Sequence, residues 1–246
     1  SVTGVQTCAL PIFVPWLPSV IALPLFCYLL PDGPARSVPP FSLPKFLSGF
    51  WVNPLAYPDF GWAFLSRFLV LMAAAFLLTY QVFFFIDRLG VAPEDVPGYI
   101  FITKLTIGIL TVTLTPIAGW LADRFGRIKP FVVLPALSLT AGLLAASVAD
   151  TLTIFLVAVV LVGIGQAVYA AVDLALCVGV LPDQRNSARY MGVMGIASSL
   201  PQSLAPAMAP LLLAIGTGQN FTAMFLCAAL FGLFGAATVV PIRKVR

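Results

Sequence analysis

Residues 119–129 read GWLADRFGRIK, and this stretch decides how the rest of the chain is interpreted. It lies between two long apolar runs and carries four charged side chains, those of Asp123, Arg124, Arg127 and Lys129. The sequence as a whole is only 9% charged, so the stretch predicts a short polar connection between two membrane-length helices. Gly126 allows the chain to turn there with a positive φ. The three cations favour the cytoplasmic side of the membrane.

The composition points to the same class of protein. The 246 residues are 61% hydrophobic and include no histidine, whereas soluble domains contain about 25% charged residues. The sequence therefore predicts an all-α, polytopic membrane helix bundle. The formal net charge of +4 would suggest nucleic acid as a partner in a soluble protein, but here the cations fall in short loops. The expected partner is the lipid bilayer, with no nucleic acid.

The spacing of the stretch, from Gly119 through Asp123, Arg124, Gly126 and Arg127 to Lys129, resembles the signature loop of the major facilitator superfamily. In that family the loop follows the second transmembrane helix and, by internal repetition, the eighth. The resemblance implies a twelve-helix transporter, of which this chain would hold about seven helices: the last of the N-terminal half and the six of the C-terminal half. The missing N-terminal half of the same chain is then an expected partner.

Four segments are predicted along the chain. Residues 2–12 resemble a translated sequencing adapter, so segment 1–12 is interpreted as non-native. Segment 13–31 is the sixth transmembrane helix, kinked by proline, and segment 32–61 is a cytoplasmic central loop with an interfacial part. Segment 62–246 is the six-helix bundle, with helices expected at residues 63–86, 99–121, 131–148, 152–181, 191–215 and 221–242.

The distribution of cations predicts the orientation. Most arginines and lysines fall on one side of the expected helices, including Arg67 and those near residues 124–129, 185–189 and 243–246. By the positive-inside bias this side is cytoplasmic, and the C-terminus lies there. We expect a multi-pass protein of the plasma (inner) membrane.

Three further stretches of sequence, which match less specifically than the signature loop, suggest a branch of the family. The phrases AVDLAL at 171–176, LPD at 181–183 and ASSLPQSLAPAMAP at 197–210 resemble sugar and cation symporters, including relatives of sucrose transporters. This resemblance implies alternating access around a central site and uptake of a sugar or glycoside with a proton or sodium ion.

Polar side chains inside the expected spans are the candidates for substrate binding, since polar groups in lipid are costly and face a cavity or another helix. The hydroxyl and amide groups favour an uncharged polyhydroxylated solute. For each of them, an interhelical hydrogen bond is the competing interpretation. The candidates are Tyr80, Gln81, Gln166, Tyr169 and Gln202.

The signature loop suggests gating residues. By resemblance, an acid on a later helix pairs with the second arginine of the motif, here Arg127, and the motif aspartate, here Asp123, faces a helix N-terminus. Asp173 is the acid expected to complete this cytoplasmic latch, which would favour the outward-open state. Two other roles for Asp173 remain open: carrying a coupling proton, or serving as an ordinary charge at the interface. The gating set is Gly119, Asp123, Arg124, Gly126, Arg127 and Asp173.

An enzyme is not expected, because the chain has neither histidine nor a GxSxG, Walker or CxxC motif. Cys8, Cys27, Cys177 and Cys227 show no paired spacing, so no disulfide framework, metal site or cofactor is predicted. Two alternatives to sugar uptake remain: an efflux antiporter for amphipathic compounds and a non-transporting membrane scaffold.

Overall fold

The computed structural model describes residues 17–29, 42, 52, 56–126, 129–183, 186–215 and 219–242. The chain divides into two compact units, Ser1–Leu43 and Pro44–Arg246. The first contains helix α1, Leu17–Leu29, which lies within the predicted segment 13–31 and includes Pro24. The predicted adapter segment lies outside the described residues, as does most of the predicted central loop.

The second unit contains six α-helices within its described residues. Helix α2 continues into a π-helical turn, Phe84–Arg88. The helices are α2 (Pro58–Phe83), α3 (Val96–Phe125), α4 (Pro130–Ser147), α5 (Leu152–Gly179), α6 (Ser187–Leu213) and α7 (Phe221–Ala237).

Local sequence explains where these helices begin and end. Proline occupies the first turn of α2, α3 and α4, where its missing N–H costs nothing. The side chains of Thr151 and Asn220 accept hydrogen bonds from the third residue beyond them and so cap α5 and α7. Gly126 ends α3 in the left-handed conformation, with φ of 60°, which confirms the turn expected at this position.

The bundle is a row of helices that closes only partly on itself. Helix α4 packs between α5 and α7; α3 continues the row beyond α5, and α2 and then α6 continue it beyond α7. The outer members, α3 and α6, therefore have fewer neighbours. In α3, 6% of an 18-residue apolar stretch is buried inside the bundle, and in α6 the buried share is 22%. The corresponding share for α2 is 61%.

Glycines allow the central helices to approach closely. A Cβ atom on Gly165 of α5 would lie 2.6 Å from the carbonyl oxygen of Pro135 on α4, and one on Gly232 of α7 would lie 2.6 Å from Oγ1 of Thr140. Helices in membranes lack a hydrophobic drive to associate, so close backbone packing of this kind holds the row together.

An aromatic cluster closes one end of the bundle. The ring of Phe84, in the π-helical turn, stacks on Phe155 of α5 with centroids 4.8 Å apart and meets Phe221 of α7 edge to face. Phe85 also meets Phe155 edge to face, with centroids 5.0 Å apart. The π-helical turn thus brings two consecutive rings into the core at the point where α2 ends.

The described fold confirms the predicted all-α membrane helix bundle. Helices α2 to α6 are long and apolar enough to cross a bilayer, while α7, with 17 residues, is slightly shorter. Helix α2 begins at Pro58, before the predicted start of the bundle at residue 62, because proline is favoured at the first helical position.

Candidate functional site: a polar cavity between α2, α3, α5 and α6

A cavity of about 460 Å³ is lined mainly by residues of α2, α3, α5 and α6. Ligand pockets commonly measure about 300 to 1,000 Å³ and combine apolar walls with a few polar groups. The walls here are aliphatic, and the polar groups come from four helices. The polar lining consists of Arg67, Thr111, Gln166, Tyr169, Asp173, Ser198 and Gln202.

The ion pair between Arg67 of α2 and Asp173 of α5 is the main electrostatic feature of the cavity. Nη1 of Arg67 lies 2.9 Å from Oδ2 of Asp173, and the two side chains are 18% and 15% exposed. The same nitrogen donates to Sγ of Cys177 at 2.8 Å, while Nε donates to Oγ of Ser198 on α6 at 2.8 Å. One arginine therefore connects three helices.

Three predicted substrate-binding residues meet in this cavity. Gln166 and Tyr169 enter it from α5, and Gln202 enters it from α6. The Tyr169 hydroxyl is buried close to the Asp173 carboxylate, but it makes no hydrogen bond of good geometry to any described residue. Buried polar groups normally have a hydrogen-bond partner, so an unpaired hydroxyl in a cavity wall marks a place where a ligand could bind.

Tyr80 does not line this cavity and has a different contact. Its hydroxyl donates to the carbonyl oxygen of Pro206 on α6 at 3.1 Å. That carbonyl would ordinarily accept the N–H of residue 210, four positions later, but residue 210 is a proline and has no N–H. Tyr80 thus caps a carbonyl group that the helix itself cannot satisfy.

Gln81 also lies away from the cavity lining. Its side chain is buried between α2 and α3, where its Oε1 lies 3.4 Å from the hydroxyl oxygen of Thr103, which also donates to the Ile100 carbonyl oxygen at 2.8 Å. In this structure Gln81 therefore makes a contact between two helices, as the competing interpretation of the candidates expects. A role for Tyr80 and Gln81 in substrate binding stays a prediction.

The signature loop is described up to Gly126 and again from Lys129. Asp123 is exposed, and the guanidinium of Arg124 lies over the Trp120 ring, 5.2 Å from its centroid. Gly119 faces open space, since a Cβ atom there would meet nothing within 4 Å. Arg127 lies outside the described residues, so its predicted pairing with Asp173 stays a prediction. The partner that the structure gives Asp173 is Arg67.

Arg67 is the residue that sequence reasoning missed. It was expected only as one of the cations on the cytoplasmic side, but α2 places it in the cavity wall. A signal was present: it is an arginine within an apolar helix, and such a charge is rare and generally paired or functional. Nothing in the sequence indicated that Asp173 is its partner, because the number of residues between positions 67 and 173 does not determine which faces of the two helices meet.

The described residues contain no group of three or more histidine, cysteine or acidic side chains that could hold a metal ion. What the cavity offers is a paired charge, two amides and hydroxyl groups beside aliphatic walls. These groups suit non-covalent binding of a small polar solute.

Comparisons with known proteins agree with this architecture. The family model described as Major Facilitator Superfamily matches residues 98–246. No curated protein shows significant similarity to the sequence.

Two solved structures share the fold, both of a mutant of the peptide transporter POT. The crystal structure in complex with alafosfalin matches with a TM-score of 0.61 and 22% identity, covering 76% of this chain and 38% of that one. The complex with sulfate matches with a TM-score of 0.61 and 22% identity, covering 75% and 37%. This chain thus spans well under half the length of those transporters.

Proposed function

This chain belongs to the major facilitator superfamily, and on that premise we propose that the complete protein is a secondary transporter that moves a sugar or glycoside by alternating access. A coupling proton or sodium ion would drive uptake. The cavity between α2, α3, α5 and α6 would be the C-terminal half of the central site, with the other half supplied by N-terminal helices.

The observation that carries this proposal is the convergence of Gln166, Tyr169 and Gln202 on one cavity. The two amides and the tyrosine hydroxyl each both donate and accept hydrogen bonds, as the hydroxyl groups of a sugar require. Val70, Leu71 and Leu139 form apolar wall beside them, against which the C–H face of a sugar ring could pack.

Asp173 is the proposed carrier of the coupling ion. Within the described residues it is the one acidic side chain in the cavity lining, and its ion pair with Arg67 joins α5 to α2. A proton or sodium ion on this carboxylate would weaken the pair and loosen the contact between the two helices. The predicted latch of Asp123, Arg127 and Asp173 would act at the cytoplasmic end, and the two roles are compatible if Asp173 exchanges partners.

The membrane context follows the same proposal. We place the protein in the plasma membrane with its C-terminus in the cytoplasm, because arginine and lysine concentrate on that side of the predicted helices.

Peptide uptake is a second candidate. A zwitterionic peptide could engage Arg67 with its carboxylate and Asp173 with its ammonium group, and solved structures of the same fold come from a peptide transporter. We rank it below sugar uptake because the Asp173 carboxylate, which a peptide ammonium group would need, is already held by Arg67, whereas the glutamine amides have no described partner.

The test is uptake by the complete protein in proteoliposomes under an imposed proton or sodium gradient. Labelled monosaccharides, sucrose and dialanine form the panel. We expect gradient-driven uptake of a sugar, with a half-saturation constant raised several-fold by Gln166→Ala or Gln202→Ala, because a lost polar partner costs about 1 to 3 kcal/mol. Leu211→Ala, on the exposed face of α6, is the matched control.

Two results would contradict the proposal. Uptake of dialanine without any sugar would favour the peptide alternative. Sugar uptake with unchanged half-saturation constants in both glutamine variants would mean that the sugar does not bind in this cavity.

A further inference from the structure

The hydrogen-bond donors of Arg67 are only partly used. A guanidinium has five N–H groups. Nε donates to Ser198, and Nη1 donates to Asp173 and Cys177. The two N–H groups of Nη2 have no acceptor among the described residues. Arg67 belongs to the lining of the cavity, and the part of the cavity around Arg67 and Asp173 is its charged end.

A second unused donor lies beside them. Tyr169 is only 4% exposed, and its hydroxyl makes no hydrogen bond to a described residue. Leaving a buried hydroxyl unpaired is unfavourable, so a ligand that accepts a hydrogen bond from it would relieve this cost. The neighbouring Asp173 is already held by Arg67 at 2.9 Å. The charged end thus offers several N–H and O–H donors, while its carboxylate is engaged.

The groups around this end differ in chemistry. Gln166 and Gln202 supply amides without charge, Thr111 supplies a hydroxyl group, and the rest of the wall is mainly aliphatic. Planar, charged donors at one end suit an oxyanion, because a guanidinium matches a carboxylate in geometry and in charge. Uncharged amides further along suit hydroxyl groups. A neutral sugar would use the amides and leave the Nη2 donors of Arg67 to water.

From this division we infer that the solute is a sugar acid: a monosaccharide that carries one carboxylate. Its carboxylate would accept hydrogen bonds from Nη2 of Arg67 and the hydroxyl of Tyr169, and its hydroxyl groups would bind Gln166 and Gln202. This inference rests on the proposed function and narrows its substrate class.

The charges in the cavity imply that a proton accompanies the solute. A bound carboxylate beside the Arg67–Asp173 pair leaves one cation and two anions in the cavity. If one proton binds to Asp173 together with the solute, the sum is neutral, so the sugar acid and the proton enter together. The charged and titratable groups that face Asp173 are Arg67 from α2 and Tyr169 and Cys177 from α5. Ser198 of α6, which holds Arg67, does not titrate.

The experiment measures binding to the complete purified protein by isothermal titration calorimetry, with three matched pairs of ligands. The acids are D-glucuronate, D-galacturonate and D-gluconate, and their neutral partners are D-glucose, D-galactose and D-glucitol. We expect one acid to bind about tenfold or more tightly than its neutral partner, because hydrogen bonds to charged groups are the stronger ones. Its affinity should rise as the pH falls.

Two variants separate a contact with the ligand from a structural role. Tyr169→Phe removes only a hydroxyl that has no described partner, so it should weaken binding of the acid several-fold without lowering the melting temperature. Gln166→Leu should weaken acid and neutral sugar alike.

The outcomes are distinguishable. If the neutral sugar of every pair binds as tightly as the acid, or only a neutral sugar binds, the sugar-acid inference fails and sugar transport stands. If no ligand of either kind binds, both fail. If an acid binds preferentially but Tyr169→Phe leaves its affinity unchanged, the assigned carboxylate contact is wrong and the inference is overturned.

Discussion

Two ion pairs in the described bundle lie in contrasting regions. Arg88 and Asp150 meet at the periphery with 2.6 Å between Nη2 and Oδ1, and their side chains are 42% and 71% exposed. Arg67 and Asp173 are slightly further apart, at 2.9 Å, but they are enclosed: both line the cavity, and their side chains are only 18% and 15% exposed. An exposed pair contributes little because water and salt compete with it, whereas removing one partner of an enclosed pair leaves an uncompensated charge. Enclosure, rather than distance, therefore determines how much each pair matters.

The largest effect is expected from breaking the enclosed pair. Asp173→Leu leaves Arg67 without its partner and should lower the free energy of unfolding by up to about 3 kcal/mol, since one unpaired charge then remains in a poorly hydrated site. The double variant Arg67→Met with Asp173→Leu should recover most of this loss. Thermal melting of the purified protein in detergent measures both. A double variant as unstable as the sum of the single ones would show that the pair isn't coupled.

The enclosed pair, unlike the peripheral one, depends on α5 being packed tightly enough against α4 to hold Asp173 in place. Gly165→Ala puts a Cβ atom 2.6 Å from the Pro135 carbonyl oxygen and 2.9 Å from the Leu139 nitrogen, both backbone atoms. Such overpacking should cost about 1 to 3 kcal/mol in the same melting measurement.

Gly195→Ala on α6 is the matched control, because its Cβ atom would meet nothing within 4 Å. It should leave stability unchanged or raise it by about 0.5 to 1 kcal/mol. Equal melting temperatures for the two alanine variants would argue against a tight crossing between α4 and α5.

A smaller effect is expected where α6 meets α2. Tyr80→Phe removes the hydrogen bond to the Pro206 carbonyl and should cost about 0.6 kcal/mol, the average for such bonds in membranes. Alanine at position 210 would restore the N–H that this carbonyl otherwise lacks. Tyr80→Phe should therefore cost less in a Pro210→Ala background, as a double-mutant cycle would reveal. The same cost in both backgrounds would mean that Tyr80 acts in some other way, including the predicted contact with substrate.

The smallest effect belongs to the peripheral pair. Arg88→Ala should change the free energy of unfolding by about 0.2 to 1 kcal/mol despite the shorter distance. High salt should abolish this difference, because exposed charges are screened. If Arg88→Ala destabilises the protein as much as Asp173→Leu does, the distinction between the two regions is lost.

The sequence predicted those features that depend on local chemistry. Gly126 was expected to turn with positive φ because the chain must reverse between two long helices, and it does so. Gln166 and Tyr169 lie three residues apart, so a helix necessarily presents them on similar faces. That Gln202 of α6 lines the same cavity is seen only in the structure, since the sequence named it simply as one of five candidates.

The remaining features depend on how each helix is rotated, which apolar composition does not fix. Helices that are apolar on every side give no preferred face, so Arg67 could not be assigned to Asp173 from spacing alone. Tyr80 and Gln81 were polar residues in a span, and only three-dimensional contacts show that they bind Pro206 and Thr103.

The central claim is that the cavity between α2, α3, α5 and α6 is half of the transport site. Its most direct test is protection of a cysteine placed at Gln166 in the complete protein, with the native cysteines replaced, against a maleimide reagent. Cysteine at Ala92, which is exposed in the connection between the π-helical turn and α3, is the control. The account predicts that a saturating concentration of the transported solute slows labelling at position 166 and leaves labelling at position 92 unchanged. Equal labelling at position 166 with and without the solute would contradict it.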